Sequence, residues 1–146
     1  MESLRKHMEA KGFNRIALKR INTNHFEFKA KVNGINGSFI LDTGASNSCI
    51  GTKSISHFKL HVTASDVKAA GAGAVNMLTQ VSVSNTLQIG KWTKNNVPFV
   101  IFDLSHVNEA LHLAEAKPVE GILGADILKT SRAVIDYGRN CLYLKE

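Results

Sequence analysis

The stretch Phe39-Ile40-Leu41-Asp42-Thr43-Gly44 confines this chain to few architectures. Three consecutive apolar residues ahead of an Asp and a Gly read as a strand covered on both faces that runs into a tight loop. Such a strand needs packed layers on each side, so the chain must close a core around it. The loop carries a carboxyl group, Asp42, into surroundings of low dielectric, where it must be paired, hydrogen-bonded or protonated. An acid kept at that cost is the first candidate for chemistry.

With 146 residues the chain can bury one core and is read as one domain. Hydrophobic residues at 44% and charged residues at 21% are the balance of a soluble globular protein. No apolar run reaches the roughly 20 residues needed to span a bilayer, and Met1–His7 lacks the apolar centre of a secretory signal. Cys49 and Cys141 are the only cysteines, too few for a disulfide framework, so a cytoplasmic protein with reduced thiols and no membrane partner is expected. The net charge of +6 is concentrated early, in Arg5, Lys6, Lys11, Arg15, Lys19, Arg20, Lys29 and Lys31. Neither a block of like charges nor a basic–aromatic signature accompanies it, so a solvated basic face is expected rather than a nucleic-acid site.

Periodicity predicts a short helix over residues 2–12 and a strand from Asn14 to Ile21. His25 to Val32 alternates, placing Phe26, Phe28, Ala30 and Val32 inward and Glu27, Lys29 and Lys31 outward. Asn33–Gly37 is turn chemistry, so Ser38–Leu41 folds back as a hairpin. Thr52 is positioned to cap a short helix reaching Phe58, and Leu60–Thr63 reads as a brief strand. Small residues and two glycines over Lys68–Val75 suggest a hairpin tip or lid. Leu78–Ile89, with Val81, Val83, Leu87 and Ile89 apolar, and Val97–Phe102 are strands. Ser105 is placed as the N-cap of a helix through Leu113. A second apolar-Gly element, Gly121-Ile122-Leu123-Gly124, leads into a short helix with Asp126 in its first turn. Ala133–Asp136 and Cys141–Leu144 are closing strands. The expected fold is mainly β with a few short helices in a single lobe, residues 1–20 forming an N-terminal extension of helix and first strand, and residues 21–146 the main domain.

Taken together, Asp42-Thr43-Gly44-Ala45-Ser46 and Ile122-Leu123-Gly124-Ala125-Asp126-Ile127-Leu128, about 80 residues apart, resemble the retroviral-type (retropepsin-like) aspartic proteases, and their bacterial relatives in particular. The resemblance spans residues 25–144. It implies a closed acid-protease barrel acting as an aspartic endopeptidase, with Asp42 as catalytic acid. Thr43 would brace paired loops, and Gly44 and Ala45 would complete the active-site loop. Ala70, Gly71, Ala72, Gly73 and Ala74 would form the tip of a flap over the substrate. Ile122, Leu123 and Gly124 would cross behind the loop and support it.

Hydrolysis of a peptide bond without a metal or covalent nucleophile needs one carboxylate to activate water and one neutral carboxyl group to polarise the carbonyl. Two carboxyl groups about 3 Å apart supply both, because they cannot ionise together. Only one Asp-Thr-Gly is present, and Asp66, Asp103, Asp126 and Asp136 lack a following Thr-Gly or Ser-Gly. A symmetric homodimer would supply Asp42 twice. Ala45 stands where pepsin-like enzymes carry a Ser, so the dyad loses a hydroxyl that would stabilise its charged form. Activity is therefore expected at mildly acidic to near-neutral pH. Ala125-Asp126 stands where retroviral enzymes often carry an Arg, so an arginine brace is not expected.

Other constellations are weaker. His7, His25, His57, His61, His106 and His112 include no His-Glu-x-x-His, His57 and His61 at i,i+4 beside a helix end read as surface histidines rather than zinc ligands, no cofactor is implied, and the serines form no nucleophile elbow. Cys49 reads as a structural thiol rather than a nucleophile. Two other readings stand beside the protease: a catalytically silent retropepsin-like domain that binds peptides or proteins, and a basic β domain for nucleic acid.

Overall fold

In the computed structural model, which describes residues 1–71 and 74–146 and, within 65–79, the backbone alone, six strands close a barrel around the Phe39 stretch. In chain order the elements are α1 (Leu4–Ala10), β1 (Phe13–Ala17), β2 (Lys19–Arg20), β3 (Phe26–Val32), β4 (Ile35–Leu41), β5 (Cys49–Gly51), β6 (Thr63–Gly71), β7 (Ala74–Ile89), β8 (Trp92–Phe102), α2 (Ser105–Leu113), β9 (Gly121–Leu123), α3 (Ala125–Thr130), β10 (Val134–Asp136) and β11 (Cys141–Lys145). The ring runs β3-β4-β9-β5-β8-β7 and is closed by pairing of Lys31 with Gln88 and Val32 with Leu87. Closure removes the open edges that a sheet of this size would expose. Strand β2 lines the outside of β3, β6 lines β7, and β1-β11-β10 form a separate three-stranded sheet.

The turn between β3 and β4 is Asn33-Gly34, with φ of 53° and 81°. Both residues lie in the left-handed region that a two-residue hairpin turn of matching twist demands. Strand β4 therefore begins at Ile35, earlier than the turn composition suggests. Its end, Phe39-Ile40-Leu41, is buried on both faces as expected. Phe39 and Leu41 point into the barrel with Phe28, Phe58, Phe99 and Leu123. Ile40 faces outward and is covered by Ile21, Leu111 of α2 and Val119.

Several local expectations give way to tertiary packing. Glu27, expected in solvent, is only 8% exposed, its carboxylate 3.5 Å from Lys29 Nζ, because α2 and the chain after it cover this outer face. The strand expected over Asn14–Ile21 splits: Leu18 N–H donates to Asn140 O, and its two halves join different sheets. The helix expected from Thr52 to Phe58 shrinks to one 3-10 turn, Thr52–Ser54, with no side-chain cap. Phe58 is drawn inward over Gly37, where an added Cβ would lie 2.4 Å from its ring. Leu60 belongs to the turn that follows, its N–H donating to Ile55 O, so the next strand starts only at Thr63. In β7 the alternation slips at a bulge between Ser82 and Asn85, with Ser84 at φ 64°. Val83 is thereby turned outward, 57% exposed, while Asn85 is buried and bonds Ser82 O, Val97 O and the Asn33 side chain. Ser105 starts α2 instead of capping it, because its N–H and hydroxyl are both taken by the Asp103 carboxylate at 2.9 and 2.5 Å. Those two bonds hold the Asp103 carboxyl below its ordinary pKa.

The N-terminal stretch is tied to the C-terminal one. Strand β1 pairs with β11 from Phe13↔Lys145 to Ala17↔Cys141. Helix α1, only seven residues long, is capped by Ser3 and packs Met8 on Cys141 and Tyr143. A helix this short depends on that packing for its stability.

Gly121 offers the sharpest test of barrel packing. A Cβ there would meet Phe39 Cε2 at 2.3 Å and the Cys49 carbonyl oxygen at 2.7 Å. Gly121→Ala is expected to lower unfolding free energy by about 2–3 kcal/mol, read as an earlier urea midpoint; an unchanged midpoint would mean that β5 and β9 do not pack as described.

Candidate active site

The site is built where two parallel strands end together. Strands β4 and β9 pair with Phe39 beside Gly121 and Leu41 beside Leu123. Asp42 and Gly124, the residues that follow, therefore leave the sheet at the same level. Asp42 N–H donates to Leu123 O at 3.0 Å, which extends the ladder by one bond before the chain turns away.

The loop then closes on itself. Ala45 N–H donates to Asp42 O at 3.2 Å. Gly44 N–H donates to the Asp42 side-chain Oδ1 at 2.9 Å. A Cβ on Gly44 would lie 3.3 Å from that same oxygen, so glycine here lets the backbone approach the carboxylate. Asp42 is half-buried, and Thr43 and Gly44 are exposed at the loop tip. The sequence placed Asp42 in low dielectric; within one chain it is held at a rim with one face toward solvent.

Behind the loop, β9 and the start of α3 form its support. Ala125 N–H donates to Ala45 O at 2.7 Å. A Cβ on Gly124 would lie 2.7 Å from Ala45 O and 3.0 Å from Asn47, so only glycine passes there without displacing the loop. Ser48, fully buried, lies between the two segments. Its hydroxyl accepts from Gly124 N–H at 2.9 Å and donates to Asp126 Oδ1 at 2.7 Å. The same Oδ1 accepts from Ser48 N–H at 3.0 Å and Ile127 N–H at 2.8 Å. Asp126 is thus more than a favourable first-turn charge: it clamps the active-site loop to α3, in the place where an arginine brace was not expected. The spacing Gly124-x-Asp126 beside Ser48 is legible only once β4 and β9 are known to be parallel neighbours.

Of the site residues read from sequence, Asp42, Thr43, Gly44 and Ala45 form one loop, and Ile122, Leu123 and Gly124 lie directly against it. The residues expected to form a flap fall on β6 and β7, where Gly71 pairs with Ala74; Ala72 and Gly73 lie outside the described residues, as do the side chains of Ala70 and Ala74. Of the other aspartates, Asp103 is engaged with Ser105 and Asp136 with Arg139, and the side chain of Asp66 lies outside those described. Among the described residues no cluster of three His, Cys, Asp or Glu side chains is placed to hold a metal ion, and no helix is long and apolar enough to cross a membrane.

Cys49, the first residue of β5, is half-buried beside Ala45, Phe102, Leu104 and Ile122, and its thiol donates to Asn47 O at 3.3 Å. Burial, then the negative charges of Asp126 and Asp42, push this thiol up to about 11. The group stays protonated at neutral pH, which removes it as a nucleophile.

Two outcomes follow. Alkylation of Cys49 by iodoacetamide near pH 8 is expected to run roughly a hundredfold slower than for an ordinary free cysteine, and to keep rising with pH well past pH 9; a plateau below pH 9, resolved by peptide mapping, would contradict the described surroundings. Ser48→Ala strips the Gly124 N–H and Asp126 of a buried partner and is expected to lower stability by about 1–3 kcal/mol, measured by urea unfolding; a neutral effect would dissolve the clamp.

Comparison with known proteins agrees with this geometry. The family model described as "Aspartyl protease" matches residues 28–127. A retropepsin-like aspartic protease from Rickettsia conorii has a similar structure, with a TM-score of 0.57 and 22% identity, covering 91% of this chain and 90% of that one. The retroviral protease-like domain of Ddi1 from Leishmania major follows with a TM-score of 0.55 and 15% identity, covering 81% of this chain and 86% of the other. No curated protein matches the sequence. With a barrel of the retropepsin-like fold and a family match over most of its length, the chain belongs to the aspartyl proteases.

Proposed function

We propose that the protein is an aspartic endopeptidase whose catalytic dyad is made of Asp42 from each subunit of a homodimer. The observation that carries this reading is the state of the Asp42 carboxylate. It sits half-buried at the rim beside an exposed loop tip, takes one internal hydrogen bond from Gly44, and is braced from behind through Gly124, Ser48 and Asp126. The chain's other described aspartates are committed to their own neighbours, so a second carboxyl group comes most simply from a second copy across a two-fold axis.

In that arrangement the two Asp42 groups share one proton. The ionised one takes a proton from a water molecule as its oxygen attacks the scissile carbonyl carbon. The neutral one donates its proton to the carbonyl oxygen; as the tetrahedral intermediate collapses, the first Asp42 passes the proton it took from water to the leaving nitrogen, and a hydroxyl proton of the intermediate returns to the other Asp42. Thr43 and Gly44 shape the paired loops, and the β6–β7 hairpin serves as a flap over an extended peptide bound by strand-like hydrogen bonds. A cytoplasmic setting and the absence of a cofactor complete the reading.

Asp42→Asn is expected to reduce cleavage of a diverse peptide mixture by about a thousandfold or more, scored as new termini by mass spectrometry across acid to neutral pH. Mixing the native protein with about a tenfold excess of Asp42→Asn should lower its activity to about one tenth, as native subunits are drawn into mixed dimers. Unchanged activity on mixing would sink the shared dyad. No cleavage by a protein that sedimentation shows to be dimeric would favour the peptide-binding domain that does not cut.

A further inference from the structure

The outer face of β3 carries a concavity of about 350 Å³ that the chemistry at Asp42 does not use. Its wall holds four cationic side chains, Lys19, Arg20, Lys29 and Lys117, against two carboxylates, Glu27 and Glu115. Glu27 lies at the floor and is matched by Lys29, which also bonds Ser38. Lys19, Arg20 and Lys117 have no salt-bridge partner among the described residues. Arg20 contributes to the rim, but its guanidinium is turned over the rings of Phe26 and Tyr137, at 5.3 and 6.0 Å, on the face of β3 opposite Glu27. Asn22 donates to Ala114 O at 2.9 Å, so the segment bearing Lys117 is tied to the loop bearing Lys19 and Arg20. The basic side chains thus surround a built hollow and are not strung along a flat face.

The position of this hollow relative to Asp42 gives it a use. Glu27 is paired with Ile40, two residues before Asp42, and Lys19 is paired with Glu27. Two strand spacings separate Lys19 from Ile40, about 10 Å, which is the reach of roughly three residues of extended peptide. We infer that the Lys19–Lys117 hollow is an acidic-residue pocket, which selects peptide substrates carrying a Glu or Asp about three residues from the bond cut at Asp42. The inference rests on the protease reading for its substrate, though not for the pocket's charge selectivity. A carboxylate entering it meets the Lys19 and Lys117 ammonium groups, with Ile21 and Ala116 as an apolar base for the side-chain stem.

The test is a set of internally quenched peptides, identical except for a single Glu, Gln or Lys scanned outward from the scissile bond. One position is expected to show kcat/KM about fivefold higher for Glu than for Gln at low salt, with the difference shrinking at high salt. Lys117→Glu should reverse the order at that position in favour of Lys, and the double variant Lys19→Gln/Lys117→Gln should level it. Lys11→Gln, which removes the same charge at the end of α1, should leave the order as it was. A protein that cuts Glu and Gln peptides equally at every position overturns the pocket and leaves the protease reading intact. If nothing is cut, the protease reading fails, and fluorescence anisotropy with the same peptides decides the pocket. Glu-selective binding lost in Lys117→Glu upholds it, and equal binding of Glu and Gln peptides overturns it. Competition by an oligonucleotide as effective, per charge, as the acidic peptide also overturns it, in favour of a general polyanion surface.

Discussion

The structure turns on the passage of Gly124 beneath the Asp42 loop. Parallel pairing of β4 with β9 brings two chain segments out of the sheet side by side, and they can stay together only if one yields volume. Gly124 yields it: the Ala45 carbonyl occupies the space a side chain would need. That contact permits the Ala125 N–H bond to Ala45 O and sets Ser48 within reach of both Gly124 N–H and Asp126. Backbone that turns sharply at a barrel rim leaves amide groups without ladder partners, and burying them unpaired would be costly. Here Ser48 and Asp126 supply those partners. The loop therefore holds its shape from behind and leaves its front edge open.

The same crossing explains why the barrel is lined as it is. Phe39 must be large to fill the barrel under a glycine neighbour, since Gly121 beside it contributes nothing to the core. Phe58 plays the matching part above Gly37, one hairpin residue pair away. Each ring is seated over a missing side chain, so large and small residues alternate across facing positions, as close packing requires. On the outside, α2 and the chain to Val119 cover Ile40 and bury Glu27 with it. This cover makes β4 a strand with two apolar faces and makes the hollow beside Lys19 and Lys117.

What the sequence disclosed and what it withheld divide along physical lines. The apolar run 39–41, the Asp-Thr-Gly turn and the Gly121–Gly124 element were readable because each imposes a local demand: burial on two faces, a tight approach, a missing Cβ. The β3–β4 turn was readable for the same reason, though its two-residue form shortened the loop. Glu27 was misplaced because its face is covered by residues some 85 positions away, which period-two alternation cannot see. Val83 was misplaced because a bulge shifted the alternation by one. Thr52 and Ser105 carry good capping chemistry, but Phe58 and Asp103 present stronger local claims on the backbone. Asp126 was seen as a helix-start charge, and its clamp on Ser48 needed the parallel register before it could be recognised.

Hydrogen-bond occupancy separates the acids of this chain by role. Asp126 Oδ1 accepts three donors from two segments, an arrangement suited to holding structure. Asp103 and Asp136 are each committed to the turn that follows them. Asp42 accepts one backbone donor on Oδ1 and lies at a half-exposed rim, which leaves lone pairs free for a water, a proton or a second carboxyl group. Spending donors on Asp126 and withholding them from Asp42 lets two aspartates on adjacent segments serve opposite ends: one makes the loop rigid, and the other is presented by it.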